Sequence, residues 1–123
     1  MKKWFWSGAV LCAIGLALFG SPQSVELDPL KVASDTHRLL YENALVRVIS
    51  AQVPAGKNEP KHSHPKSVTV YLADYTVEQK SFPEGRVTRS DRKVGTVSWS
   101  DAVVHEVRNV GRTPSHAIRI ELK

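Results

Sequence analysis

From Leu45 to Lys123 no stretch of the chain sustains a helical repeat. Apolar residues come instead in short runs rich in Val, Ile, Thr, Tyr and Trp, each ended by residues that turn a chain. Val46-Arg47-Val48-Ile49 leads to Pro54-Ala55-Gly56, and Val68-Thr69-Val70-Tyr71-Leu72 is a β-branched run suited to a pleated surface. Phe82-Pro83-Glu84-Gly85 marks a hairpin, Thr96-Val97-Ser98-Trp99 alternates, and Val103 to Val107 forms a further run. After the turn Asn109-Val110-Gly111-Arg112-Thr113-Pro114, His116 to Leu122 alternates cleanly. About seven strands at this spacing predict an all-β sandwich or jelly roll. The 123 residues, 41% hydrophobic and 24% charged, suit one compact domain.

The first twenty residues differ in composition. Lys2 and Lys3 precede an uncharged stretch, Trp4 to Gly20, and Ser21-Pro22-Gln23-Ser24 ends it. This order of basic, apolar and polar segments is that of a secretory leader. Residues 1–24 are therefore expected to be a signal peptide or, uncleaved, an N-terminal anchor that contacts the membrane. With the lysines held inside, either case places the remainder in the periplasm or outside the cell, or tethers it to the cytoplasmic membrane facing outward. Cys12, the single cysteine, lies in the apolar run as a small hydrophobe, so any metal must be held by nitrogen and oxygen. Residues 25–41 hold Pro29 but no sustained period and are expected to form an arm packed on a barrel of residues 42–123.

Without the two leader lysines, 15 basic residues remain against 12 acidic, a surplus of 3. Lys80, Arg86, Arg89, Arg92 and Lys93 bracket a turn, interleaved with Glu84 and Asp91 and without an aromatic ladder. That pattern reads as a solvated hairpin edge, and no nucleic-acid partner is expected. A weakly basic surface favours small anions over cations.

His62 and His64 stand at i and i+2, so from a strand their side chains point the same way. Gly56 precedes His62 by six residues; His105 follows Gly95 by ten and precedes Asn109 by four. Written as G-x5-H-x-H and G-x9-H-x3-N, these segments resemble the two motifs of the cupin superfamily, over roughly residues 42–123. The first motif departs where cupins carry a glutamate, since Val68 and Thr69 stand there. In the second, Asp101-Ala102-Val103-Val104 replaces the usual proline and glycine. The resemblance implies a cupin-type antiparallel β-barrel or jelly roll whose histidine strands converge on a pocket. It also implies a homodimer paired through the outer sheet face, and no single reaction.

In such a pocket His62, His64 and His105 are the expected ligands of a divalent transition metal, whether Fe, Mn, Zn, Ni or Cu. With the glutamate missing, most of the charge of the cation is left uncompensated, which favours a small anionic organic ligand. Thr69 is then a weak oxygen donor to the site, and Tyr71, of the same parity, offers a phenol as proton donor or orienter. Asn109 is expected to orient His105 or its turn from behind. By alternation His116 should face inward with Ile118, Ile120 and Leu122, and Trp99 should fill core. His37 is expected on the surface of the arm, Glu59 as a loop charge, and Arg47, Arg108 and Arg119 pointing outward.

Three functions remain open on these residues: a metal-dependent enzyme of the oxygenase, isomerase or lyase type; a binding module without catalysis; and a degenerate barrel kept for dimerisation. Nucleophilic catalysis finds no support, because no nucleophile-elbow pattern occurs. A phosphate-cradling glycine loop is likewise missing from the sequence.

Overall fold

A computed structural model describes residues 25–123; the expected leader and Cys12 lie outside the described residues. The described chain opens with a 3₁₀ turn, Val25–Leu27, and a single-turn helix α1, Pro29–Val32. Asp28 caps α1 by accepting the Leu30 N–H at 3.0 Å, and Pro29 occupies the first helical position, where a missing N–H costs nothing. Nine strands follow: β1 (His37–Glu42), β2 (Val46–Ala51), β3 (Asn58–His64), β4 (Ser67–Tyr71), β5 (Tyr75–Phe82), β6 (Arg86–Arg92), β7 (Val97–Ser100), β8 (Val103–Asn109) and β9 (Ala117–Leu122).

Every strand pairing is antiparallel, in two sheets of order β1-β2-β9-β4-β7 and β3-β8-β5-β6. The architecture is the expected all-β jelly roll. One of its strands was not expected: β1 joins the arm to the barrel by pairing with β2, His37 opposite Ala51. It therefore runs across the boundary anticipated between residues 41 and 42.

The two motif glycines each adopt a left-handed conformation, φ +80° at Gly56 and +81° at Gly95, which only glycine takes without strain. Gly56 turns the chain into β3. Its N–H donates to Asn109 O at 2.8 Å while the Asn109 N–H donates to Lys57 O at 3.0 Å, locking the start of β3 to the end of β8. The fully buried Asn109 amide donates to Val53 O and Thr113 O and accepts from the Gly111 N–H. Asn109 thus orders the turn after β8 through contacts with backbone groups.

The five-stranded sheet reverses the anticipated sidedness. Tyr41, Val48, Ile120, Val68 and Trp99 lie in one cross-strand row on its outer face, where Tyr41 is 56% and Trp99 55% exposed. Its inner face carries Ser67, Thr69 and Tyr71 from β4 opposite Glu121, Arg119 and Ala117 from β9. Trp99 therefore does not fill core. His116 follows the parity of Ile118 and sits half-buried beside Ser50 and Gln52, with Nε2 3.2 Å from the Gln52 amide nitrogen. Arg119 points inward and Arg47 pairs on the same inner side, while Arg108 is exposed as expected. A strand that alternates cleanly announces two faces but not which of them is covered. The apolar interior is small, centred on Ile49, Val53, Val77 and Ala117, and encloses a polar pocket.

Candidate metal centre

Antiparallel register sets His62 on β3 directly opposite His105 on β8, and their Nε2 atoms lie 3.1 Å apart. His64, two residues along, shares the inward face, its ring 5.0 Å from that of His62 and 5.4 Å from that of His105. The two segments therefore meet as expected. Two nitrogens bound at about 2.1 Å to one cation are separated by about 3.0–3.4 Å at ordinary coordination angles, so the 3.1 Å spacing suits a shared ion.

A fourth imidazole joins them. His37 of β1, expected at the surface, is only 6% exposed, and its ring lies 5.1 Å from that of His62 and 5.8 Å from that of His64. Nitrogens of His37, His62 and His64 all come within 4.8 Å of one another, a set that could hold a metal ion. His105 meets this set through His62 from the neighbouring strand. The histidine of the arm was illegible because an arm without a clear period gives no parity to assign.

Carboxylates stand behind the histidines. Glu59, expected as a loop charge, is 4% exposed; its Oε2 accepts from Thr36 Oγ1 at 2.5 Å and lies 3.1 Å from His37 Nδ1. Strict alternation would send residues 59 and 62 to opposite faces. A register shift between them, at Pro60 and Lys61, turns both inward. Proline, with no N–H to leave unpaired, sits well in such a bulge, and Pro60 O accepts from His62 Nδ1 at 2.7 Å. The sequence Glu59-Pro60 was the available signal for the shift.

Glu121 of β9 is the second carboxylate, 1% exposed. Its Oε1 lies 2.6 Å from His64 Nδ1, and its Oε2 accepts from Arg47 Nε at 2.7 Å. Arg47 in turn donates from both terminal nitrogens to Asp28, at 2.9 and 3.0 Å. With Arg47 holding one carboxylate oxygen, the proton of the short bond rests on His64 Nδ1, which leaves His64 Nε2 as a bare lone pair. That atom is buried and has no hydrogen-bond partner; His105 Nδ1 is in the same state.

Burial drives the electrostatics. It lowers the pKa of His62 and pushes those of His64 and His105 well below the usual histidine value, so all three are neutral and able to donate lone pairs near pH 7. Burial would raise the Glu59 carboxyl, but hydrogen bonds from His37 and Thr36 hold it below the ordinary range. Glu121 goes up instead, because its desolvation outweighs the help of Arg47.

The histidines line a cavity of about 80 Å³ together with Thr69, Tyr71, Tyr75, Gln79, Arg92 and Arg119. Thr69 is buried on the inner face, where a cupin glutamate was sought. The Tyr71 hydroxyl is 2.7 Å from Ser98 Oγ, and Arg92 covers its ring at 5.0 Å. Among the described residues the Tyr75 hydroxyl has no hydrogen-bond partner; burial and then the neighbouring Tyr71 push its pKa up to about 12. It stays protonated and can donate.

No protein-family model matches the sequence, and no curated protein matches it either. Solved structures do. A cupin domain from Bordetella pertussis Tohama I, 25% identical, superposes with a TM-score of 0.65 and covers 71% of this chain and 91% of that one. An uncharacterized conserved protein with a double-stranded β-helix domain from Klebsiella pneumoniae subsp. pneumoniae is 19% identical, with a TM-score of 0.56 over 70% of this chain and 74% of its own. A Bacillus halodurans protein, 13% identical, reaches 0.57 over 85% and 83%. These last two share the fold alone.

Neutral burial of His62, His64 and His105 has a consequence for stability. Below about pH 6.5 an unfolded chain protonates its histidines, whereas the folded core resists until well below that value. The unfolded state then binds more protons, so stability falls as pH drops. Glu59, held low, gives way only at more acid pH. For protein stripped of metal by a chelator, the urea midpoint should decrease steadily from about pH 7 to about pH 5. The decrease should be shallower in His64→Gln. Equal pH slopes in parent and variant would place the titrating group elsewhere.

Proposed function

Because this chain is a small member of the cupin superfamily, we propose that its barrel holds a divalent transition metal among His37, His62, His64 and His105 and takes a small anionic organic molecule beside it. The observation that carries this reading is His64 Nε2, a buried lone pair with no partner on a side chain whose other nitrogen is fixed by Glu121. Buried polar atoms are almost always paired, so an orphan among neutral imidazoles calls for a Lewis acid. Imidazole ligands suit iron, zinc, nickel, copper or manganese, and hydrogen-bonded outer carboxylates fix ring orientation as metal sites require. When bound, the ion would supply Lewis acidity to a molecule held in the cavity.

Charge balance supports the anion. In and behind the cavity Arg47, Arg92 and Arg119 face Asp28, Glu59 and Glu121, so three positive charges meet three negative ones. Addition of a divalent cation leaves that set positive, and an anionic ligand restores neutrality. Tyr75 would donate a hydrogen bond to it.

The apolar row Tyr41, Val48, Ile120, Val68 and Trp99, exposed at its two ends and half-buried between, supports pairing of two copies through the outer face of the five-stranded sheet. The basic and apolar residues of segment 1–24 support export, with the barrel in the periplasm or held outward on the membrane. N-terminal sequencing of the protein recovered from the cell envelope, showing a start near Val25, would support cleavage; a start at Met1 would support the anchor.

Elemental analysis of the purified protein should find about one transition-metal ion per chain. His62→Ala and His64→Ala should each lower that content by about tenfold or more while the far-ultraviolet circular dichroism of the barrel persists. Metal content unchanged in both variants would defeat the proposal. Light scattering should give the mass of a dimer for the parent and of a monomer for Trp99→Glu, and a monomeric parent would remove the pairing.

A further inference from the structure

We propose that Arg119 is the anchor of the ligand, and that the ligand is a small carboxylate with a short apolar body, gripped by the guanidinium at one end of the cavity while it faces the histidines. This inference deepens the metal-site reading and rests on it for the second contact of the ligand.

Arg119 lies on β9 between Ala117 and Glu121 on the inner face, opposite Ile49 of β2 and Thr69 of β4. Its environment differs from that of Arg47 one strand away. Arg47 bonds Glu121 and both oxygens of Asp28. Arg119 makes one hydrogen bond, from Nη1 to Ser67 Oγ at 2.9 Å, and among the described residues it has no ion-pair partner. A guanidinium offers five N–H donors and cannot shed its charge, so one hydroxyl leaves most of its capacity unused inside the barrel.

The nearby carboxylates are not spare. Glu121 is held by His64 and Arg47, and Glu59 by His37 and Thr36. Glu121 and Glu59 help Arg119 only through space, since neither reaches it within ion-pair distance among the described residues. An anion that enters the cavity Arg119 lines would find most of its N–H donors open.

Shape selects the class of anion. The planar fork of arginine matches the two oxygens of a carboxylate. The wall of the same cavity includes Val53, Val77, Val107 and Ala117, which would accept a short hydrocarbon body. A volume of about 80 Å³ admits roughly five to eight water-sized groups. Propionate and lactate are of that size. Phosphate, more highly charged and without an apolar part, fits the wall poorly.

Calorimetric titration with propionate, lactate and inorganic phosphate, on zinc-loaded and chelator-treated protein, tests the assignment. The parent should bind the two carboxylates and prefer both to phosphate. Arg119→Met should weaken carboxylate binding by about tenfold or more with zinc content unchanged, and Arg119→Lys, which keeps the charge without the fork, should fall between. Should Arg119→Met fail to fold, the Arg119 Nε–H resonance of the parent must still shift on adding propionate. A parent that binds neither carboxylate, a variant that binds them as well as the parent does, a preference for phosphate, or a resonance that does not move would each overturn the proposal. Carboxylate binding that depends on Arg119 in protein that never loads zinc would sink the metal reading and leave the anchor standing. Full zinc loading with binding indifferent to Arg119 would do the reverse.

Discussion

The bond between His64 and Glu121 is the contact on which the pocket depends. It joins the two sheets, since His64 belongs to β3 and Glu121 to β9, and it fixes which nitrogen of His64 is left free. A carboxylate buried this deeply is tolerable only because its other oxygen accepts from Arg47, and Arg47 is held in turn by Asp28. Asp28 is also the cap of α1, so the chain of contacts runs from the first helical turn through the sheet to an imidazole. Each link satisfies the charge of its neighbour. Removal of a middle member would leave a buried charge alone, which costs far more than the net worth of the pair.

The same chain of contacts explains why the arm belongs to the site. His37 arrives on β1 while the Thr36 hydroxyl, one residue earlier, fastens Glu59 of β3. Ser63 Oγ donates to Leu27 O at 3.5 Å, a further tie between arm and histidine strand. Docking of residues 25–37 therefore does two things at once: it closes one side of the barrel and brings a fourth imidazole to the cavity. A barrel of residues 42–123 alone would have His62, His64 and His105 but neither His37 nor Asp28, one of the two carboxylates that hold Arg47.

Much of the fold was legible because strand periodicity and left-handed glycines are local signals. Short β-branched runs marked most of the strands, and Gly56 and Gly95 fell in the turns before β3 and β7. His62 and His64 could be paired because i, i+2 spacing survives any choice of face, and His105 joined them through the likeness of its segment to the second cupin motif. What stayed hidden depended on global choices. Ile118, Ile120 and Leu122 alternate with Arg119 and Glu121, and nothing within one strand says that the apolar set lies outside. Glu59 was masked by a one-residue bulge, and His37 by an arm that has no period before β1 pairs with β2.

That inverted sidedness links the outer surface to the chemistry within. A small domain has limited apolar surface to bury, and here the five-stranded sheet turns much of it outward while its inner face is given to Ser67, Thr69, Arg119 and Glu121. A polar interior of this kind contributes little hydrophobic stabilisation, so the domain has reason to recover it on the other side of the same sheet. Burying the row from Tyr41 to Trp99 against a second copy would do so, and because β9 carries Ile120 outward and Arg119 and Glu121 inward, the pairing would also stiffen the strand that positions both the carboxylate behind His64 and the Arg119 guanidinium. Site and surface are then two faces of one strand, and the polarity of the first creates the need for the second.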